Sequence, residues 1–172
     1  MKKNLKMTPE GTKDFLFAEC SAMDYICTSI EKVFVKGGFK RVITPALEFY
    51  DVFSIPSSGI SHESMFKTTD NKGRLLVARP DYTLPIARMV STRLKNNTLP
   101  VRLYDKQAVY RNNPSLAGIR NEFLQMGVEL LGAKGKRADL EILTSAIKSI
   151  SAVADDFRIE LGHAEVFNAL SK

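Results

Sequence analysis

The apolar residues of this chain change period several times, and each change predicts an element. Between Phe15 and Lys36, the residues Ala22, Ile26, Ile30, Val33 and Phe34 recur at helical spacing. Asp14 stands where an N-cap belongs. Gly37-Gly38 predicts the stop, because glycine takes the left-handed cap conformation without steric cost. A short strand is expected from Phe39 to Ile43, ended by Pro45, which cannot donate to a ladder. Residues 51–74 follow neither period; Ser54 to Ser61 reads as loop and Asp70-Asn71-Lys72-Gly73 as a turn. Leu75–Ala78 predicts a short apolar strand, and helical period returns from Tyr82 to Lys95. Val101–Tyr104 and Gln107–Tyr110 read as strands, Pro114–Gly118 as a loop, and Phe123–Leu131 as a buried strand stopped by Gly132. Arg137–Ile150 predicts a helix with Leu140, Ile142, Leu143, Ala146 and Ile150 on its apolar side. Phe157–Leu161 predicts a final strand. Hairpins in the middle, with helices between them and at the ends, imply an α+β fold with a largely antiparallel sheet. Residues 1–13 read as an arm closing in the turn Thr8–Thr12, and 14–172 as one domain.

Composition narrows the class. With 172 residues, 44% hydrophobic and 26% charged, the chain suits a folded domain rather than global disorder. No apolar stretch approaches the ~20 residues of a membrane span, and the basic N-terminus lacks the apolar core of a secretory signal. Cys20 and Cys27 fall on one predicted helix at a separation of about 10 Å, too far for a disulfide, and read as buried thiols of a cytoplasmic protein. With His62 and His163 far apart, no metal-ligand spacing appears. The net charge of +6 permits phosphate or nucleic-acid partners without demanding them.

Three segments carry candidate chemistry. In Arg79-Pro80-Asp81-Tyr82-Thr83, a strand gives way to a helix, and Asp81 and Thr83 are either simple caps or oxygens aimed at a ligand ammonium. Arg111 follows an apolar strand and must pair or reach solvent; its planar fork suits a carboxylate or phosphate, or a structural ion pair. In Phe123-Leu124-Gln125-Met126-Gly127-Val128-Glu129, period two puts Gln125, Gly127 and Glu129 on one face and Leu124, Met126 and Val128 on the other. An amide, a carboxylate and a gap describe the floor of a small polar pocket, or equally a glycine bulge beside solvated side chains.

The order and spacing of these segments resemble the core of class II aminoacyl-tRNA synthetases, in the histidyl branch. Lys36 to Pro45 looks like motif 1, and Val109 to Leu131 looks like the motif 2 hairpin. Arg79-Pro80-Asp81 through Arg88, Leu103-Tyr104 and Glu122 to Gly132 have the character of the regulatory subunits of ATP phosphoribosyltransferase, a histidyl-tRNA synthetase paralogue. The resemblance implies an N-terminal portion of the class II antiparallel core, in a fragment of a longer chain. It implies a histidine site with Asp81, Thr83 and Gln125 at the ammonium, Arg111 at the carboxylate and Glu129 at the imidazole. It implies a dimer interface at Gly38, Phe39, Val42 and Pro45.

Departures from the synthetase pattern favour the regulatory branch. The glutamate that follows the motif 2 arginine in Arg-x-Glu is here Asn113, and a second arginine is here Asn121, with Arg120 next door. Asp81 is a methylene shorter than the synthetase glutamate. No motif 3 arginine is present. The implied function is a non-catalytic regulatory subunit that activates a short-form ATP phosphoribosyltransferase catalytic subunit and lets histidine inhibit it, in the first step of histidine biosynthesis. The expected assembly is a homodimer within a hetero-oligomer, with no cofactor, metal, membrane or nucleic acid. The competing readings are a truncated histidyl-tRNA synthetase core, using ATP and transfer RNA, and an orphan synthetase-like domain.

Overall fold

A computed structural model describes residues 5–55, 59–113, 118–162 and 169. Helix α1 (Ala18–Lys36) leads into a short strand β1 (Lys40–Arg41). Then come β2 (Leu47–Phe49), β3 (Lys67–Thr69), β4 (Leu75–Ala78) and helix α2 (Thr83–Arg93). The long hairpin β5 (Val101–Tyr110) and β6 (Glu122–Leu131) precedes helix α3 (Lys136–Ser151).

Among the described residues the strands form two sheets of three, ordered β1-β5-β6 and β2-β4-β3. The hairpin is antiparallel, in unbroken register from Val101↔Leu131 to Tyr110↔Glu122, whereas β1 joins β5 in parallel. Both faces of the first sheet are covered. On one, Leu103 and Val109 pack with Tyr82 and Ile86, with Phe123 and Leu131 beside them. On the other, Tyr104, Met126 and Val128 pack with Phe34, Phe39, Ile30 and Ile142 of the α1 and α3 side. The second sheet closes over Phe53, Met65 and Val77, with Leu84 of α2 beside them. An ion pair between Arg88 and the nearly buried Glu48, at 2.7 Å, ties α2 to β2.

Helix α1 ends in a Schellman motif. Gly38 donates to Val35 O and Phe39 to Phe34 O, both near 3.0 Å, and the two phenylalanines share a core cluster. The left-handed residue is Gly38, at φ 80°, while Gly37 stays right-handed at φ −74°. The predicted Asp70–Gly73 turn forms, with Asp70 Oδ1 accepting from Lys72 N and Arg74 N at 2.9 Å.

Other expectations are corrected. Helix α1 begins at Ala18 with no side-chain cap, so Asp14 is not its N-cap; Glu19 in the first turn pairs with Lys13 instead. Its inner stripe runs through Cys27, Ile30 and Phe34, and Ile26 is exposed, as is Cys20. Val101–Tyr110 is one strand, because every residue of it finds a partner in β6. Lys67–Thr69, inside the stretch read as irregular, is a strand held by β4. Leu140 is 63% exposed, since α3 turns Ile142 inward. Phe157–Leu161 is not a strand, and Leu161 is 73% exposed without a ladder beside it. Pro56 to Ser58, Pro114 to Ala117 and His163 lie outside the described residues.

Candidate functional site

The site forms where β4 passes into α2 against the β5–β6 hairpin. Asp81 turns the chain: its Oδ1 accepts from Thr83 N at 2.7 Å, and its Oδ2 accepts from Gln125 Nε2 at 2.9 Å. One carboxylate oxygen thus fastens the turn into α2 and the other holds Gln125 of β6. Thr83 Oγ1 donates to Glu129 Oε1 at 2.8 Å. Arg111 closes the group, with Nε donating to Pro80 O at 3.0 Å and a terminal nitrogen 3.9 Å from Asp81 Oδ2. Its guanidinium lies over the Phe123 ring at 5.2 Å. All five residues drawn from the sequence therefore meet on one face.

The electrostatics separate the two carboxylates. Burial pushes Asp81 upward, but hydrogen bonds from Gln125 and Thr83, with Arg111 nearby, outweigh it and hold the carboxyl below its ordinary value. Burial also raises Glu129, and there the single bond from Thr83 does not offset burial and the nearby Asp81. Gln125 and Glu129 are not solvated side chains beside a bulge: both are half-buried and the ladder through Gly127 is regular.

The gap at Gly127 is filled by the protein itself. A Cβ there would stand 2.3 Å from the Tyr82 hydroxyl. Tyr82 is 3% exposed, and burial raises its phenol far above the ordinary range. Period two placed Gln125, Gly127 and Glu129 correctly, but nothing in it tells which side chain lies over the glycine. Two further residues of this face escaped the sequence reading. Asp105 pairs across the ladder with Gly127, and Gln107 with Gln125. Asp105 is wholly buried. Arg79 is 4% exposed and donates to the carbonyls of Thr44, Pro45 and Ala108, joining both sheets.

The two asparagines at the departure positions bind each other. Asn113 N donates to Asn121 Oδ1 at 3.1 Å, and Asn113 Nδ2 to Arg120 O at 3.2 Å. Asn121 also holds the N-terminal arm, with N donating to Gly11 O at 2.7 Å and Nδ2 to Glu10 O at 3.1 Å. Gly11, at φ 71°, must be glycine, because its Cβ would lie 2.5 Å from Asn121 Cγ. Arg120 lies over the Phe15 ring at 5.1 Å. Of the expected dimer residues, Phe39 is buried in this chain's own core with Phe34 and Tyr104, and Val42 packs half-buried on the opposite face of the sheet against the Tyr82 and Leu103 cluster, leaving Gly38 and Pro45 exposed.

A family model described as histidyl-tRNA synthetase matches residues 11–172. The chain belongs to the histidyl-tRNA synthetase family. Within it, an ATP phosphoribosyltransferase regulatory subunit from Clostridium kluyveri is 44% identical, over 96% of this chain and 42% of its own. One from Clostridium acetobutylicum is 41% identical, over 96% and 41%. The chain thus spans about two-fifths of the length of these curated relatives. A solved Bacillus halodurans structure, described as an ATP phosphoribosyltransferase regulatory subunit/histidyl-tRNA synthetase, superposes with TM-score 0.81 at 33% identity, covering 89% of this chain and 39% of that one. The apo S. aureus histidyl-tRNA synthetase shares the fold, with TM-score 0.71 at 24% identity over 85% and 34%. This membership accounts for the α+β core built on the motif 2 hairpin. No described helix is long and apolar enough to cross a membrane.

Proposed function

We propose that this histidyl-tRNA synthetase relative carries the histidine-sensing part of a non-catalytic regulatory subunit of ATP phosphoribosyltransferase, working in the cytoplasm on the first step of histidine biosynthesis. Its partner is a short-form catalytic subunit, and two copies pair through the segment containing Gly38, Phe39, Val42 and Pro45. The names of the relatives support the role. One observation carries the ligand: Asp81, Thr83, Arg111, Gln125 and Glu129 share one face, all but the exposed Thr83 half-buried. Histidine brings an ammonium that suits Asp81, Thr83 and Gln125, a carboxylate that suits the Arg111 fork, and an imidazole N–H that suits Glu129. Inhibition then requires that histidine favour one state of the complex, by a coupling of about 1–3 kcal/mol.

The second reading is a histidyl-tRNA synthetase core, favoured by the shared fold and the retained Arg111. Against it, Asn113 and Asn121 are committed to each other and to the arm, where nucleotide recognition would need a carboxylate and a cation. One preparation tests both readings. Calorimetry with histidine should show binding, and histidine-dependent ATP–pyrophosphate exchange should stay at background. Exchange would establish the synthetase reading, and absence of histidine binding would remove the ligand assignment.

A further inference from the structure

Asp105 is a wholly buried carboxylate on the floor of the same site, opposite Gly127 in the ladder. Its Oδ2 accepts from Gln107 Nε2 at 2.6 Å, while its Oδ1 has no hydrogen-bond partner. A buried carboxylate oxygen left open is costly, and a fold retains one where its charge is used. The groups around it are few. The turn from β4 into α2 brings Arg79, Asp81 and Tyr82, Arg111 follows the end of β5, β6 brings Glu129, and the backbone N–H of Lys106 acts on the carboxyl from β5 itself. Arg79 acts on Asp105 through space but spends its hydrogen bonds on carbonyls. Arg41 acts from the opposite face of the sheet, where it lies 3.9 Å from Glu31. Arg88, on the neighbouring helix, is neutralised by Glu48.

Three carboxylates (Asp81, Asp105, Glu129) therefore face two guanidinium groups (Arg79, Arg111). Among the described residues, no cluster of three acidic, histidine or cysteine side chains could hold a metal ion, so the missing positive charge falls to an organic ligand. We infer that ligand binding here takes up a proton and that Asp105, acting by its charge beneath the site, is the positioning residue that imposes it. The inference rests on the histidine reading of the site: the site is completed by a ligand with one net positive charge, so histidine is held as its imidazolium form rather than the net-neutral amino acid. Burial raises both Asp105 and Glu129, and at Glu129 the neighbouring Asp81 adds to it.

Calorimetry on the intact protein, with histidine as the probe and buffers of different ionisation enthalpy, counts the protons. The expected result is uptake of about one proton, with affinity falling up to about tenfold per pH unit above pH ~6.5, where free imidazole loses its proton. Asp105→Asn keeps the shape and an acceptor for Gln107 but removes the charge. It should bind histidine with no proton uptake and a flat affinity over that range, and a thermal melt reports whether it is folded. The wild-type measurement tests the inference even if that variant does not fold. Histidine binding without proton uptake, or uptake unchanged in a folded Asp105→Asn, overturns the inference and leaves the histidine reading standing. No histidine binding in the wild type overturns both.

Discussion

Gly127→Ala should destabilise this protein for a reason confined to one atom. Glycine inside a strand is intrinsically the worse residue, so on an open face the substitution would gain about 0.5–1 kcal/mol. Here the new Cβ would stand 2.3 Å from the Tyr82 hydroxyl, well inside contact distance. Relief requires moving Tyr82, which is buried and flanked by Asp81 and Thr83, or bending the long hairpin. Overpacking of this kind costs about 1–3 kcal/mol, so a net loss of about 1–2 kcal/mol is expected once the strand gain is subtracted. The next atoms, Tyr82 Cζ at 3.4 Å and Cε2 at 3.7 Å, are in ordinary contact. Removing the hydroxyl should therefore remove the clash. In a double-mutant cycle by urea unfolding, Gly127→Ala should be destabilising in the wild type and neutral or stabilising in a Tyr82→Phe background. An equal effect in both backgrounds, or no effect in either, would refute the placement of Tyr82 over the strand.

Further outcomes follow from the same contacts. Glu129→Gln should weaken histidine binding by about 1.5–3 kcal/mol, tenfold or more, as calorimetry would show, because a charge-assisted acceptor is lost. Arg111→Ala should cost affinity on the same scale and lower stability only by about 1 kcal/mol, from the lost hydrogen bond to Pro80 O, since its Asp81 contact is long at 3.9 Å. Asn121→Ala should loosen the N-terminal arm, read as faster proteolysis ahead of Phe15 with α1 intact, because Glu10 O loses its side-chain donor while Gly11 keeps only its backbone bonds. Glu31 is held below its ordinary value by hydrogen bonds from Tyr104 and Lys106. Its contribution is present above the unfolded carboxylate pKa of about 4.3 and lost as pH falls through the folded value. Glu31→Gln should flatten that part of the acid limb in a pH series of melts.

The sequence made the long elements legible where one physical signal dominated. The Gly37-Gly38 stop, the Asp70 turn and the apolar run of Leu75–Ala78 all form as read. The gathering of Asp81, Thr83, Arg111, Gln125 and Glu129 on one face was legible through strand period plus family resemblance. What stayed hidden depends on contacts between distant segments. Lys67–Thr69 is polar and becomes a strand only because β4 lies beside it. Asp105 sits between Tyr104 and Lys106 with no local sign that its face of β5 is roofed by Tyr82 and Ile86. Arg79 reads as one more charge, yet its three carbonyl partners lie on segments 29 to 35 residues away. Leu140 misled because helical period marks an apolar stripe without saying what covers it.

The most direct test of the central claim joins this protein to a short-form ATP phosphoribosyltransferase catalytic subunit and follows phosphoribosyl transfer during a histidine titration. The account predicts that the protein raises the rate, that histidine suppresses it, and that Glu129→Gln shifts the suppression to at least about tenfold higher histidine. A rate indifferent to the protein, or histidine inhibition unchanged by Glu129→Gln, would contradict it.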